Sequence, residues 1–419
     1  MTDIFDGAKI GLQQRRRKES TFQWAGRIAI IISLAFLVAM VGSIFLTGKS
    51  AIYQTELALK VDLGPDVVDP NDIDAASYDT IVKDALRAEF PDVSDRKELR
   101  ALKGLVSSDA GFEVKTAIKE DPSLLGGPAT IWVTASDEVD MVEKGNVDLT
   151  VEEKRRKIKD YELAWINQLK DAGELEERFN KRFFTGGDSR EPELAGILGA
   201  FVGSFFSLLV CFAISFPLGI FTAIYLEEFA PKNRISDFVE VNINNLAAVP
   251  SIVFGLLGLA IFLNTFGLPR SSPLVGGMVL SLMTLPTIII AARASLRAVP
   301  PSIREAALGL GASPVQTVFH HTLPLAMPGI LTGSILGMAQ ALGETAPLLM
   351  IGMVAFIVDI PTSILEPATA LPVQIFLWAD SPERAFLEKT SAAIMVLLFF
   401  LIMMNIIAVI LRKKFEIRY

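Results

Sequence analysis

The sequence predicts an all-α polytopic membrane protein with six transmembrane helices and one soluble α+β insertion between the first two. Three observations predict it. Hydrophobic residues make up 51% of the 419, and the mean hydropathy is +0.44, too apolar for an ordinary soluble domain. Apolar stretches near or above the roughly 18 to 20 residues that span a bilayer recur at 27–47, 194–226, 244–266, 273–293, 325–353 and 387–411. Residues 48–193 break the pattern: 32 Asp and Glu stand against 21 Lys and Arg, a net of −11, with no run that could span.

The chain opens on a basic tail, 1–26, followed by the first span at 27–47. A basic flank before an apolar run also fits a signal peptide, but the run from Ile28 to Leu46 is long and no small-residue cleavage site closes it. An uncleaved anchor is expected. Thr47-Gly48-Lys49-Ser50 ends like a phosphate loop, but the glycine needed five residues before Gly48 is Ser43. No nucleotide site is expected in this chain.

The 48–193 segment is long enough for one domain. Turn signals punctuate it at Asp69-Pro70, Asp121-Pro122 and Gly127-Pro128. Thr130 to Ala135 alternates as a strand does, and Val151 to Phe184 reads as a long, charge-rich helix returning to the membrane. Its acidic balance would repel an anion at long range, so no phosphate site is expected there. A solvated acidic domain and a dock for a soluble partner protein are both open readings.

Residues 194–411 hold the remaining five spans, ahead of a short tail at 412–419. Gly329, Gly333 and Gly337 have the small-xxx-small spacing that lets helices approach closely. Packing within the bundle is expected, with a partner chain as the alternative. Cys211 is the only cysteine and lies in an apolar span, so no disulfide can form within the chain. His320 and His321 are the only histidines, and no metal, hydrolase or nucleotide motif appears.

Lys and Arg in the short flanks set the orientation. One side carries Lys9, Arg15, Arg16, Arg17, Lys18, Arg27, Lys232, Arg234, Arg293, Arg297, Arg304, Arg412, Lys413, Lys414 and Arg418. The other carries only Arg270, Arg384 and Lys389 in short loops. Both termini and the loop after the fourth span are therefore expected in the cytoplasm, and 48–193 outside it.

That cytoplasmic loop is the most informative stretch. Ser302-Ile303-Arg304-Glu305 fits a capping box after Pro300-Pro301. Ile303, Ala306, Ala307 and Leu310 recur at helical spacing and predict one face. Gly311 can end that helix in the left-handed conformation, and Ser313-Pro314 can start the next as N-cap and first residue. In the fifth apolar segment, Glu344 stands within Ala341-Leu342-Gly343-Glu344-Thr345-Ala346-Pro347-Leu348-Leu349. A carboxylate there costs several kcal/mol unless paired or hydrated, so it should face the bundle interior, a cation or a water-filled path.

Glu305-Ala306-Ala307, Gly311 and Leu323-Pro324 resemble the EAA loop of ABC importer permeases, with His321 standing where an apolar residue is usual. Gly343 to Leu349 and Asn245-Leu246-Ala247-Ala248-Val249-Pro250-Ser251-Ile252-Val253-Phe254-Gly255-Leu256 resemble phosphate-specific permeases of the PstA type. The resemblance implies an ABC type-1 (MetI-like) permease core over 194–411. It implies that 301–324 is the coupling loop, in which Glu305, Ala306, Ala307, Leu310, Gly311, Leu323 and Pro324 dock on an ATPase.

It further implies a phosphate importer in the bacterial inner membrane. The partners would be a second permease (PstC type), two ATPase subunits using ATP and Mg, and a soluble phosphate-binding protein. No cofactor of this chain's own, no catalytic residue and no nucleic-acid partner are implied. Gln340 stands where similar permeases carry an Arg one turn before the glutamate, so the i, i+4 ion pair is lost. Glu344, with Thr345 beside it in the pathway, then needs another cation, from the partner permease or from Arg293 or Arg297. A gate or structural counter-ion suits Glu344 better than direct contact with an anion. A permease for sulfate or molybdate is the alternative; a membrane sensor or scaffold would need neither six spans nor a docking loop.

Overall fold

The computed structural model describes residues 2–70, 72–354 and 356–415. Arg418 and the end of the 412–419 tail lie outside the described residues, as do the side chains of Lys9 and Arg17. Helix α1 runs unbroken from Thr2 to Gly48. Its membrane-crossing part packs against almost nothing else in the chain. Only its end docks: a Cβ on Gly48 would lie 2.9 Å from Ala392 N.

The soluble insertion is α+β, as predicted. Strand β1 (Tyr53–Asp62) is the centre of a three-stranded antiparallel sheet. Glu56 pairs with Thr134 on β2 (Pro128–Thr134), and Tyr53 with Phe179 on β3 (Leu175–Phe179). Helices α2 (Tyr78–Glu89), α3 (Arg96–Lys103), α4 (Ala110–Glu120), α5 (Asp137–Glu143) and α6 (Asp160–Asp171) complete it. Leu57, Leu59 and Val61 of β1 are buried with Leu86, Val114, Ile118, Val133 and Ile166 in one core. Edge strand β3, Leu-Glu-Glu-Arg-Phe, is charged at its centre, which discourages pairing with another chain.

The long helix expected over 151–184 does not form. α6 stops where Gly173 takes φ +72°. Gly173 N–H donates to Lys170 O at 3.0 Å and Glu174 N–H to Leu169 O at 2.9 Å, the Schellman pair of bonds that closes a helix. β3 follows, and then the short helix α7 (Lys181–Thr185).

The bundle is built on α8 (Leu198–Ile224), α11 (Pro273–Arg297), α14 (Leu323–Gly343) and α17 (Phe386–Phe415). With α1, these give five helices among the described residues that are long and apolar enough to cross a membrane, or six if one bent pair counts as a span. The bent pair is α9 (Arg234–Ala247) and α10 (Ser251–Gly258), at 100° to each other. The expected span at 244–266 therefore bends near its start. Pro250 lacks an N–H, disfavours the helical region for the residue before it, and is itself extended (φ −57°, ψ 136°).

The expected span at 325–353 also breaks. α14 ends at Gly343, Glu344 is extended (φ −77°, ψ 125°), and α15 (Ala346–Met350) starts afresh. Pro347 explains it, because its ring would clash with the carbonyl four residues back, at Gly343. Helices α12 (Pro301–Gly309) and α13 (Pro314–Thr317) fill the loop before α14, and α16 (Leu371–Ala379) precedes α17.

The glycine stripe on α14 packs within the bundle. A Cβ on Gly333 would sit 2.1 Å from Ala291 Cβ, and one on Gly329 would sit 2.4 Å from Ser295 Oγ. Gly333→Leu is therefore expected to lower stability by about 2 kcal/mol or more, since neither backbone can yield freely. Gly42→Leu on α1, with nothing within 4 Å, should be neutral. The thermal midpoints of the two purified variants check the contrast.

Candidate functional site

Three places carry chemistry: the loop at 301–324, the charge network at its base, and the break at Glu344. In the loop, α12 ends through a left-handed glycine. Gly311 has φ +88°. Its N–H donates to Leu308 O at 2.9 Å, and Ala312 N–H donates to Ala307 O at 3.1 Å. Ser313 then caps α13 with a reciprocal box: Ser313 N–H donates to Gln316 Oε1 at 2.9 Å, and Gln316 N–H donates to Ser313 Oγ at 3.3 Å.

The capping box expected at Ser302 and Glu305 is absent. Pro300 is the N-cap and Pro301 the first helical residue, so Ser302 already lies inside the helix. The single face expected for Ile303, Ala306, Ala307 and Leu310 splits in two. Ala307 is buried, and Ile303 packs on a cluster that includes Leu296, Val299, Val318 and Ile330. Glu305 and Ala306 are exposed, and Leu310 is 91% exposed. Leu323 packs on the same cluster, and Pro324 stands in the first turn of α14.

At the base of this loop, arginines tie four elements together. Arg304 of α12 donates to Glu228 Oε1 at 2.7 Å, to Leu296 O at 2.8 Å and to Val299 O at 2.8 Å. Its guanidinium thus joins the turn after α8 (Tyr225–Phe229) to two backbone carbonyls at the end of α11, of which Leu296 O also accepts from Val299 N–H at 3.2 Å. Arg297 donates to Glu227 Oε1 at 2.8 Å, and Arg293 donates to Glu240 Oε2 of α9 at 2.9 Å. Arg293 and Arg297 are therefore engaged with Glu227 and Glu240, not with Glu344 as one sequence reading allowed.

At the break, Glu344 and Thr345 are half-buried and Gln340 is exposed one turn earlier. Among the described residues no cation forms an ion pair with Glu344. The two motifs read separately in the sequence meet here. α15 packs on α10 so closely that a Cβ on Gly255 would lie 2.7 Å from Pro347 Cα and 2.9 Å from Pro347 O. Two proline-broken segments thus face each other across a glycine contact.

Residues 215–417, which hold this loop, network and break, match the family described as binding-protein-dependent transport system inner membrane component. The probable ABC transporter permease protein YqgI of Bacillus subtilis is 32% identical over 46% of this chain and 70% of its own length. The phosphate transport system permease protein PstA 1 of Mycobacterium tuberculosis is 32% identical over 53% of this chain and 71% of its own. The chain belongs to this family of inner-membrane transport components. PstA of Yersinia pestis is similar too, at 33% over 52% of this chain and 73% of that one. The family assignment makes this a multi-pass inner-membrane protein and a transport component. Residues 9–153 match a second family, described only as a domain of unknown function (DUF3333).

Sequence reasoning missed how this family member fastens its soluble domain to the transport core. Lys144 of α5 bonds Asp140 at 2.6 Å and Glu388 of α17 at 3.2 Å, and Asn146 donates to the same Glu388. Lys389 Nζ donates to Ala195 O at 3.0 Å, and Trp378 Nε1 donates to Asp188 Oδ1 at 3.0 Å. Gln54 Nε2 donates to Glu193 O at 2.8 Å.

Burial pushes the Glu193 carboxyl up to about 7; Glu191 and Glu138 add to the rise and Lys389 opposes it. Asp137 also faces it through space. A raised carboxyl favours the folded state while it stays protonated, so this contribution is complete below the ordinary carboxylate range and is lost as pH rises through about 7. Glu193→Gln, which mimics the protonated form, should therefore gain on the wild type by about 2 kcal/mol more at pH 8 than at pH 5. Thermal unfolding of the purified chain at both pH values checks this.

Proposed function

We propose that this chain is the membrane permease subunit of an ATP-driven importer of inorganic phosphate. The observation that carries the reading is the docking surface around Leu310, 91% exposed on a rigid helix–glycine–helix turn, in a chain similar to phosphate transport system permeases. The orientation follows from the excess of Lys and Arg: both termini and 301–324 in the cytoplasm, the soluble domain outside.

ATP and Mg are then used by two separate ATPase subunits docked on Glu305, Ala306, Leu310 and Gly311, with Ala307, Leu323 and Pro324 holding the loop against the bundle. This chain binds no cofactor. A second permease of PstC type completes the pathway, and a soluble binding protein delivers phosphate to the outer face. Glu344, with Gln340 and Thr345 beside it, acts as a gate or as a counter-ion to a cation of the second permease. A bare carboxylate repels an anion, so direct contact would need the proton of the phosphate as donor. Arg293 and Arg297 serve this path indirectly, by fixing α9 and α11.

Labelled phosphate uptake at micromolar concentration, with and without this chain, tests the proposal. Loss on deletion, unaffected by excess sulfate or molybdate, is expected. Unchanged uptake in cells with no second phosphate system would overturn it and point to another oxyanion.

A further inference from the structure

The soluble domain is acidic as a whole, yet one cavity on it gathers cations. It has a volume of about 290 Å³ and lies where the domain meets the chain just before α17. Arg155, Arg156 and Lys157 approach it from the domain, and Arg384 approaches from the loop that leads into α17. Two of these cations are already engaged: Arg156 pairs with Asp160, and Lys157 with Glu383 and Glu138. Arg155 and Arg384 are exposed and make no ion pair among the described residues. Two free guanidiniums from opposite sides of one seam thus line the same space.

The carboxylates that share the lining are accounted for. Asp148 accepts from Thr150 N–H at 2.9 Å and from its hydroxyl at 2.6 Å. Glu138 pairs with Lys157 at 3.6 Å. Burial, with a hydrogen bond to Glu138, pushes the Asp137 carboxyl well above the usual carboxylate range, and four cations line the cavity against three carboxylates. The local balance is therefore positive, against the trend of the domain.

Two further observations narrow the ligand. Met141, Val147, Val151 and Ile158 give the cavity an apolar side. Arg384 stands two residues before Phe386, where α17 enters its membrane-crossing stretch. The cavity therefore lies beside the start of a helix long and apolar enough to cross a membrane, where lipid headgroups are at hand. Arginine forks match phosphate oxygens bidentately. The volume is close to the roughly 300 Å³ at which small-molecule sites begin, large for a lone oxyanion and suited to a headgroup with its glycerol on the apolar side.

We propose that this cavity binds a phosphate group, carried by an anionic phospholipid headgroup or as free phosphate, between Arg155 and Arg384. The site is independent of the substrate reading above. The test titrates the purified full-length chain in detergent with short-chain phosphatidylglycerol and, separately, with inorganic phosphate. The wild type is compared with the R155A/R384A and R155K/R384K variants. Both arginines are exposed, so the variants should keep the wild-type thermal midpoint.

One phosphatidylglycerol per chain is expected for the wild type, bound at least about tenfold more weakly by the double alanine variant. The double lysine variant, which keeps the charge without the fork, should fall between them. The same arginine dependence in the inorganic phosphate arm would assign the site to the free anion. If neither ligand distinguishes the wild type from R155A/R384A, the proposal is overturned.

Discussion

Leu310→Asp is expected to cut transport at least tenfold while leaving the chain folded and inserted. Leu310 is 91% exposed and touches little of its own protein, so the substitution should change stability by no more than about 0.5 kcal/mol. An apolar side chain held this far out by a glycine turn is positioned for an apolar recess on another chain. Placing an unpaired carboxylate in such a recess costs a few kcal/mol, and each ~1.4 kcal/mol is a factor of ten in affinity. The ATPase should keep its basal rate and lose its coupling to uptake. Uptake and ATP hydrolysis measured together on one preparation check this. Normal coupling in the variant would remove Leu310 from the docking surface.

The second large effect is expected at Arg304. Its guanidinium serves Glu228, Leu296 O and Val299 O at once, and the Glu228 side chain is only 11% exposed. Arg304→Ala leaves a nearly buried carboxylate unpaired and takes a donor from Val299 O, while Leu296 O keeps its bond from Val299 N–H. Breaking such a pair from one side costs about 3 kcal/mol. Arg304→Lys should recover little, because an ammonium cannot reach three acceptors in the geometry of the fork. Double replacement of Arg304 and Glu228 by apolar residues of similar size should be far milder than Arg304→Ala alone. A thermal midpoint for Arg304→Ala equal to the wild type would mean that the network contributes nothing to holding the coupling helix.

These residues also show where the sequence was legible. Gly311 and Ser313-Pro314 announced a helix end and a helix start, because both rest on local chemistry: a positive φ and an N-cap. Ser302 misled for an equally local reason. Pro301 fits the first helical position better than Ser302 fits the cap, and the helix started two residues too early for the box.

The broken segments at Val249-Pro250 and Gly343-Glu344 were read through because membrane helices often tolerate proline. What decides here is the α10–α15 contact, in which Gly255 meets Pro347. Residues 151–184 looked helical by charge pattern alone. Gly173 was the available signal, and its Schellman bonds end α6. The seam between Lys144 and Glu388 spans 244 residues of sequence, and no periodicity carries information over that distance. The arginines 293 and 297 were visible, but their partners lie on other elements: Glu227 in the turn after α8, and Glu240 on α9, whose direction follows from the bend at Pro250.

The account turns on the loop at 301–324 being the face that meets an ATPase. Cys211, the only cysteine in the chain, is fully buried, so a Leu310→Cys variant offers one reactive thiol at the tip of that loop. The decisive measurement is cross-linking from that thiol in the purified intact transporter, with the captured chain tested for ATP binding. The account predicts capture of an ATP-binding subunit, with a yield that changes when ATP is added. Capture of a chain that binds no ATP, or no capture from a complex that still transports, would contradict it.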